Sequence, residues 1–176
     1  MKRWERTGRR YLFRSPVFRI REDTLVSPRT GGSLPFYVLE CDDWVNVVAF
    51  TTADELVLVR QYRQGREELS LEIPGGVVEP DEPPADAARR ELREETGYTC
   101  EAIEPLGWVA PNPAIQTNRC HTYLATGCRY EGEPTPDEGE DIEVELMPAA
   151  QVRDALREGT IRHSLVVAGL YLYELR

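Results

Sequence analysis

A mixed β-sheet covered by helices on both faces is the α/β fold class this sequence predicts, and three observations predict it. Short apolar runs rich in valine and aromatic residues crowd residues 35–62; one long helical pattern at 83–96 interrupts the strands; and helical patterns return at 149–158 and 164–175. Strands on both sides of a helix, with further helices at the end, call for a sheet with two faces to cover.

At 176 residues the chain fills one hydrophobic core and is short for two domains. Residues 1–43 are therefore read as an N-terminal strand segment of the same unit, and 44–176 as the main domain. A formal net charge of −10 repels the backbone of a long nucleic acid, which is excluded as a partner. No apolar run approaches the roughly 20 residues that cross a bilayer, so no membrane is expected. A small anion can still bind where a metal supplies positive charge. Cys41, Cys100, Cys120 and Cys128 form no CxxC pair and have no histidine at zinc spacing. With no signal-peptide pattern before them, they read as reduced thiols of a cytoplasmic protein.

In order, the chain opens with a basic, aromatic segment, Lys2, Arg3, Trp4, Arg6, Arg9, Arg10 and Tyr11, then a strand-like run at Val17, Phe18 and Ile20. The segment's sign is opposite to that of the whole chain, so it reads either as a solvated face or as the neighbour of an anion. Strands at 35–40, 45–51 and 55–62 are separated by Asp42-Asp43 and by Thr52-Ala53-Asp54, both read as short hairpin connections. After a polar loop at 64–68, Leu71, Glu72 and Ile73 make a short strand that Pro74 stops. In the following helix Pro83 and Pro84 suit the first turn, Asp81 is the expected cap, Ala85, Ala88 and Leu92 form the apolar stripe, and Gly97 is the C-cap. Strands at 102–109, 120–130 and 142–147 follow, with a proline-broken loop at 110–114 and an acidic loop at 132–141.

The chemistry concentrates on the long helix. Glu91 and Glu95 fall one turn apart on one face, with Glu94 beside them. Carboxylates so close repel unless a cation lies between; Arg89, Arg90 and Arg93 are available as ordinary surface partners. Gly75 and Gly76 lead into this helix as a turn whose bare backbone lets a carbonyl approach a cation. Oxygen-only donors suit Mg²⁺ or Mn²⁺, which keep part of their shell for water and substrate phosphates.

This stretch resembles the signature box of the Nudix hydrolases, matched by Gly76, Glu82, Arg90, Glu91, Leu92, Glu94, Glu95 and Gly97. Tyr98 stands where the family carries an aliphatic residue. The resemblance implies a Nudix fold, an α/β/α sandwich around a mixed sheet with an extra N-terminal β segment, and cleavage of a nucleoside diphosphate linked to another group. It implies that Glu91 and Glu95 are principal metal ligands, that Glu94 helps through the shared site or a bound water, and that the Gly76 carbonyl completes the shell. Arg90 would orient the glutamates, and Glu82 would brace loop to helix.

Further likeness is to the ADP-ribose pyrophosphatase and nucleoside diphosphate sugar hydrolase branch. That branch implies a general base in the acidic loop, Glu138 or Glu140, with the other as a possible extra metal ligand. It also implies a substrate-loop proline at Pro113, a phosphate or ribose contact at Arg63, and substrate contacts at Glu72 of the box entry. Residues 112–119 are similar instead to hydrolases of sugar nucleotides such as GDP-mannose, which makes Asn112 and Arg119 candidate substrate contacts and GDP-mannose the runner-up to ADP-ribose. Trp4, Tyr11, Tyr37 and Trp44 are available to stack on a base. The resemblance implies a homodimer built through the N-terminal strands. A nucleotide-sugar sensor without activity and an enzyme of capped RNA are the rival classes; the complete carboxylate set argues against the first and the net charge against the second. His121 and His163 have no partner at triad or zinc spacing and are expected to be structural.

Overall fold

The computed structural model describes residues 2–137 and 139–176, and the chain divides into two compact units. One runs to Asp43 and includes Ala110–Arg119; the other comprises Trp44–Val109 and Cys120–Arg176.

The first unit is an antiparallel sheet of β1 (Glu5–Arg14), β2 (Phe18–Val26) and β3 (Ser33–Cys41), in that order. β1 falls in the basic, aromatic segment, which no strand pattern marks. Nearly all its residues are exposed, so no alternation of apolar and polar residues marks it. The register pairs opposite charges across strands, Arg9 with Asp23 and Arg10 with Glu22. Asp23 is buried and takes hydrogen bonds from Arg9 Nε at 2.9 Å and Arg21 Nε at 3.2 Å, while Arg21 also pairs with Glu40. Much of the basic N-terminal segment is thus answered by acids of its own sheet. The Leu39 N–H donates to Ile115 O at 2.7 Å, and Thr117 N–H donates to Leu39 O at 3.2 Å, which ties residues 110–119 to this unit. Asp42-Asp43 is not a hairpin connection, because β3 and the next strand belong to different sheets.

In the second unit β4 (Trp44–Thr51) pairs parallel with β9 (Cys120–Tyr130) and antiparallel with β5 (Glu55–Arg63). β5 also pairs with β6 (Glu68–Glu72) and β10 (Ile142–Pro148), and β9 with β7 (Tyr98–Thr99) and β8 (Ala102–Val109), all antiparallel. The result is a mixed sheet. Period-two alternation along β4 explains the layers. Val45, Val47 and Ala49 pack with Ala87, Ala88 and Leu92 of α1 (Pro84–Thr96). Val48 and Phe50 turn the other way, onto Val152 and Ala155 of α2 (Val152–Glu158) and Val166 and Leu170 of α3 (Ser164–Glu174).

Several local expectations change. Asp81 does not cap α1: the N-cap is Pro83, without a side-chain hydrogen bond, and Asp81 adopts φ 66° in the turn before it. The buried stripe uses Ala87, Ala88 and Leu92 and then continues through Glu95 and Thr96, where an apolar residue is the usual choice. The helical pattern at 149–158 begins as a 3₁₀ turn, Ala149–Gln151, before α2. Gly97 ends α1 at φ 72°, its N–H donating to Arg93 O.

Candidate active site

Two backbone hydrogen bonds lay the glycine loop along the edge of β4. Val47 N–H donates to Pro74 O at 2.8 Å and Val45 N–H to Gly76 O at 2.9 Å. Close approach demands glycine at both positions: a Cβ on Gly75 would collide with the Val45 carbonyl, and one on Gly76 with the Glu91 carboxylate. Gly75 N–H reaches the helix itself, donating to Glu95 Oε2 at 2.8 Å.

Arg90 organises the face of α1. Nε and Nη2 clamp the two oxygens of Glu82 at 3.0 and 2.9 Å, Nη1 donates to Glu91 Oε1 at 2.8 Å and Glu94 Oε2 at 3.0 Å, and Nη2 also donates to Val77 O at 3.0 Å. Each N–H of the guanidinium fork is thereby used, which a lysine could not imitate. These bonds, the Glu82 pair first, hold Arg90 well above the usual arginine range.

Burial is the first influence on the two carboxylates Glu91 and Glu95. Glu95 is 2% exposed. Burial pushes it up to about 8, the charges of Glu91 and Glu140 add to that, and Gly75 N–H and Arg63 oppose it. Glu91 is raised as well, first by burial and further by Glu140 and Glu94, against the pull of Arg90. One cavity of about 450 Å³ receives Glu91, Glu94, Glu95, Gly76, Asp137 and Glu140. Glu140 and Asp137 hold one another, Glu140 N–H donating to Asp137 O at 2.9 Å and Asp137 N–H to Glu140 Oε2 at 3.2 Å. Glu138, the other candidate base, lies outside the described residues.

The same donor set fits a hard divalent cation in kind: oxygen ligands, buried like charges, and a glycine cradle with no room for a side chain. Among the described residues no three acidic, cysteine or histidine side chains already converge on one point. Glu91 and Glu94 spend oxygens on Arg90, Glu95 spends one on Gly75 N–H, and Gly76 O has one lone pair engaged by Val45.

Across the cavity lining, Arg63 Nε and Nη2 clamp Glu72 at 2.8 and 2.7 Å. Burial raises the Glu72 carboxyl, but Arg63 outweighs it and leaves Glu72 below the usual range. Among the described residues, the hydrogen bonds of Arg63 to Glu72 use Nε and Nη2 and not Nη1. Trp44 also lines the cavity, whereas Trp4, Asn112, Pro113 and Arg119 belong to the first unit and are not among the lining residues. Trp4 packs edge-on to Phe36 at 5.4 Å, Asn112 O accepts from Ile115 and Gln116 N–H, and Arg119 N–H donates to Asp43 Oδ1 at 2.8 Å.

Among the polar lining residues not singled out for the site from the sequence are Asn46, Gln61 and His163. Asn46 and Gln61 had a signal: each is a polar residue inside an apolar strand run, and Gln61 is buried. His163 had none. It precedes α3, and the fold alone brings its Nε2 to 3.9 Å from Glu72 Oε2, at the lining of the cavity.

The NUDIX domain model matches residues 43–168. The methanol dehydrogenase activator of Bacillus methanolicus is 30% identical, over 94% of this chain and 89% of its own. The ADP-ribose pyrophosphatase of Mycobacterium tuberculosis is also 30% identical, over 90% of this chain and 77% of its own. A crystal structure of an ADP compounds hydrolase superposes with a TM-score of 0.86 at 23% identity, covering 99% of this chain and 94% of that one, a likeness of fold.

Proposed function

This chain belongs to the NUDIX family of hydrolases, and from that premise we propose that it cleaves the diphosphate of ADP-ribose or a related nucleoside diphosphate sugar, releasing a nucleoside monophosphate and a sugar phosphate. One observation carries the reading: Glu91, Glu94, Glu95 and Glu140 share a cavity with the Gly76 backbone, and Glu95, buried among them, is raised by its burial and by the charges of Glu91 and Glu140.

Glu91, Glu94, Glu95, Glu140 and the Gly76 carbonyl would hold Mg²⁺ or Mn²⁺, which when bound neutralises the diphosphate and lowers the pKa of water. Arg90 fixes the directions in which Glu91 and Glu94 present their oxygens, and Glu82 anchors Arg90 to the loop. Arg63, itself held by Glu72, offers Nη1 to a phosphate or ribose oxygen. The base, Glu140 or Glu138, takes a proton from water as the water oxygen bonds to phosphorus and the bond from phosphorus to the bridging oxygen breaks. Trp44 presents an aromatic wall to the substrate.

The exposed apolar residues of the first unit, among them Leu12, Phe13, Leu34 and Tyr37, suit the contact of a homodimer. Scattered cysteines without a CxxC pair suit a cytoplasmic protein. Incubating the purified chain with a panel of nucleoside diphosphate sugars and Mg²⁺ or Mn²⁺ tests the substrate. ADP-ribose is expected to give the highest kcat/KM, GDP-mannose leading the panel would establish the runner-up, and binding without cleavage of any member would establish a sensor.

A further inference from the structure

Cys100 lies one residue past the end of β7, and the register of β7 on β9 continues to Cys128 opposite it. The register of β7 on β9 pairs Tyr98 with Tyr130 and Thr99 with Arg129, and beyond the break β8 resumes it with Ala102 opposite Thr126. The position between places Cys100 opposite Cys128. Ring contact between Tyr98 and Tyr130, at 5.7 Å between centroids, marks the same face two residues earlier. Glu131 N–H donates to Gly97 O, so hydrogen-bonded pairs fall at 97/131 and 99/129, and Cys100 with Cys128 is a non-hydrogen-bonded pair. There the Cβ atoms come closest across a ladder, near the separation a disulfide requires. Cys100 packs against the core cluster to which Cys128 belongs.

We infer that Cys100 and Cys128 form an oxidisable cross-strand pair that a low-molecular-weight disulfide converts to an intramolecular disulfide, fastening the segment after α1 to β9. Cys100 is the point of entry, since it is partly exposed and Cys128 is buried. Burial raises the Cys100 thiol, and Arg89, whose Nη1 lies 3.2 Å from its sulfur, offsets part of that by offering the thiolate a counter-charge. The Cys100 thiolate attacks one sulfur of the small disulfide and expels a thiol. The Cys128 thiolate then attacks the Cys100 sulfur of the mixed disulfide and expels the second thiol. The protein loses two electrons and two protons, and the small disulfide gains both. Burial pushes Cys128 up to about 12, so the second step is the slow one.

The pairing does not depend on the proposed activity, and its test measures none. The full native chain is incubated with oxidised glutathione, quenched by acid, alkylated and digested with trypsin without reduction. Because Cys120 and Cys128 share the tryptic peptide that ends at Arg129, the linked species is sequenced by fragmentation. The expected product joins Cys100 to Cys128, has lost two hydrogens, reverts with a thiol reductant and melts at a higher temperature than the reduced chain. Cys100→Ser should abolish both the link and the shift. A chain whose thiols all stay alkylatable, whose Cys100 stops at the glutathione adduct, or whose link joins another pair overturns the inference.

Discussion

Glu95 occupies a position that its spacing from Leu92 assigns to the core, and it is buried there accordingly. A carboxylate at such a place costs free energy unless it is protonated or paired with a cation, and Glu91 and Glu140 increase the cost. Glu95→Gln keeps the shape and can still accept from Gly75 N–H while removing the charge. Circular dichroism should be unchanged and the melting temperature equal or higher, while metal-dependent turnover falls on the order of 10²-fold or more. Turnover near that of the unmodified chain would remove Glu95 from the proposed metal site. The carboxylates of the motif were legible at this scale because Glu91, Glu94 and Glu95 sit at fixed spacings on one helix. What Arg90 does was half legible: its neighbours Glu91 and Glu94 follow from the helix, but Glu82 and Val77 O reach it only because the turn before α1 folds back.

At the scale of the element, the two glycines of the loop should separate stability from activity. A methyl group on Gly75 meets the backbone of β4, which cannot move without disturbing the sheet, whereas one on Gly76 meets a side chain that can turn away. Gly75→Ala should therefore cost about 1–3 kcal/mol in denaturant unfolding. Gly76→Ala should unfold at nearly the same denaturant concentration and lose turnover, because Glu91 is displaced. Equal stability loss in both would contradict this division. The three-stranded sheet of the first unit makes a different prediction. Burial raises Asp23 and Glu40, but Arg9 and Arg21 at Asp23, and Arg21 and Arg19 at Glu40, outweigh it and leave both carboxyls below their usual values. Such groups contribute stability that is complete above the ordinary carboxylate range and is lost as pH falls through their depressed values. Corrected for intrinsic rates, amide protection in β1, β2 and β3 should decline only below that range, and Asp23→Asn should remove much of the decline. Protection that changes near neutral pH instead would point to other groups.

For the whole molecule, the mixed sheet and its helical cover followed from the order of apolar runs. β4 shows why: its alternation commits Val45 and Val47 to one layer and Val48 and Phe50 to the other. Tertiary pairing was less legible. β1 carries almost no burial pattern, so its membership of a sheet depends on cross-strand charge pairs with β2 that no local spacing reveals. The loop at 110–119 is held by β3 through Leu39, a contact between segments far apart in sequence. His163 reaches Glu72 for the same reason, since residues distant along the chain meet only after the sheet and α3 have packed.

The central claim is that the carboxylates of α1 and the acidic loop act on a diphosphate through a divalent cation. Its most direct test follows ADP-ribose by phosphorus NMR with the metal-stripped chain, before and after Mg²⁺ is added. The diphosphate signals should persist in the stripped sample and be replaced, once Mg²⁺ is present, by those of two phosphate monoesters. Full turnover by the stripped chain, or intact diphosphate after both Mg²⁺ and Mn²⁺ have been supplied, would contradict the claim.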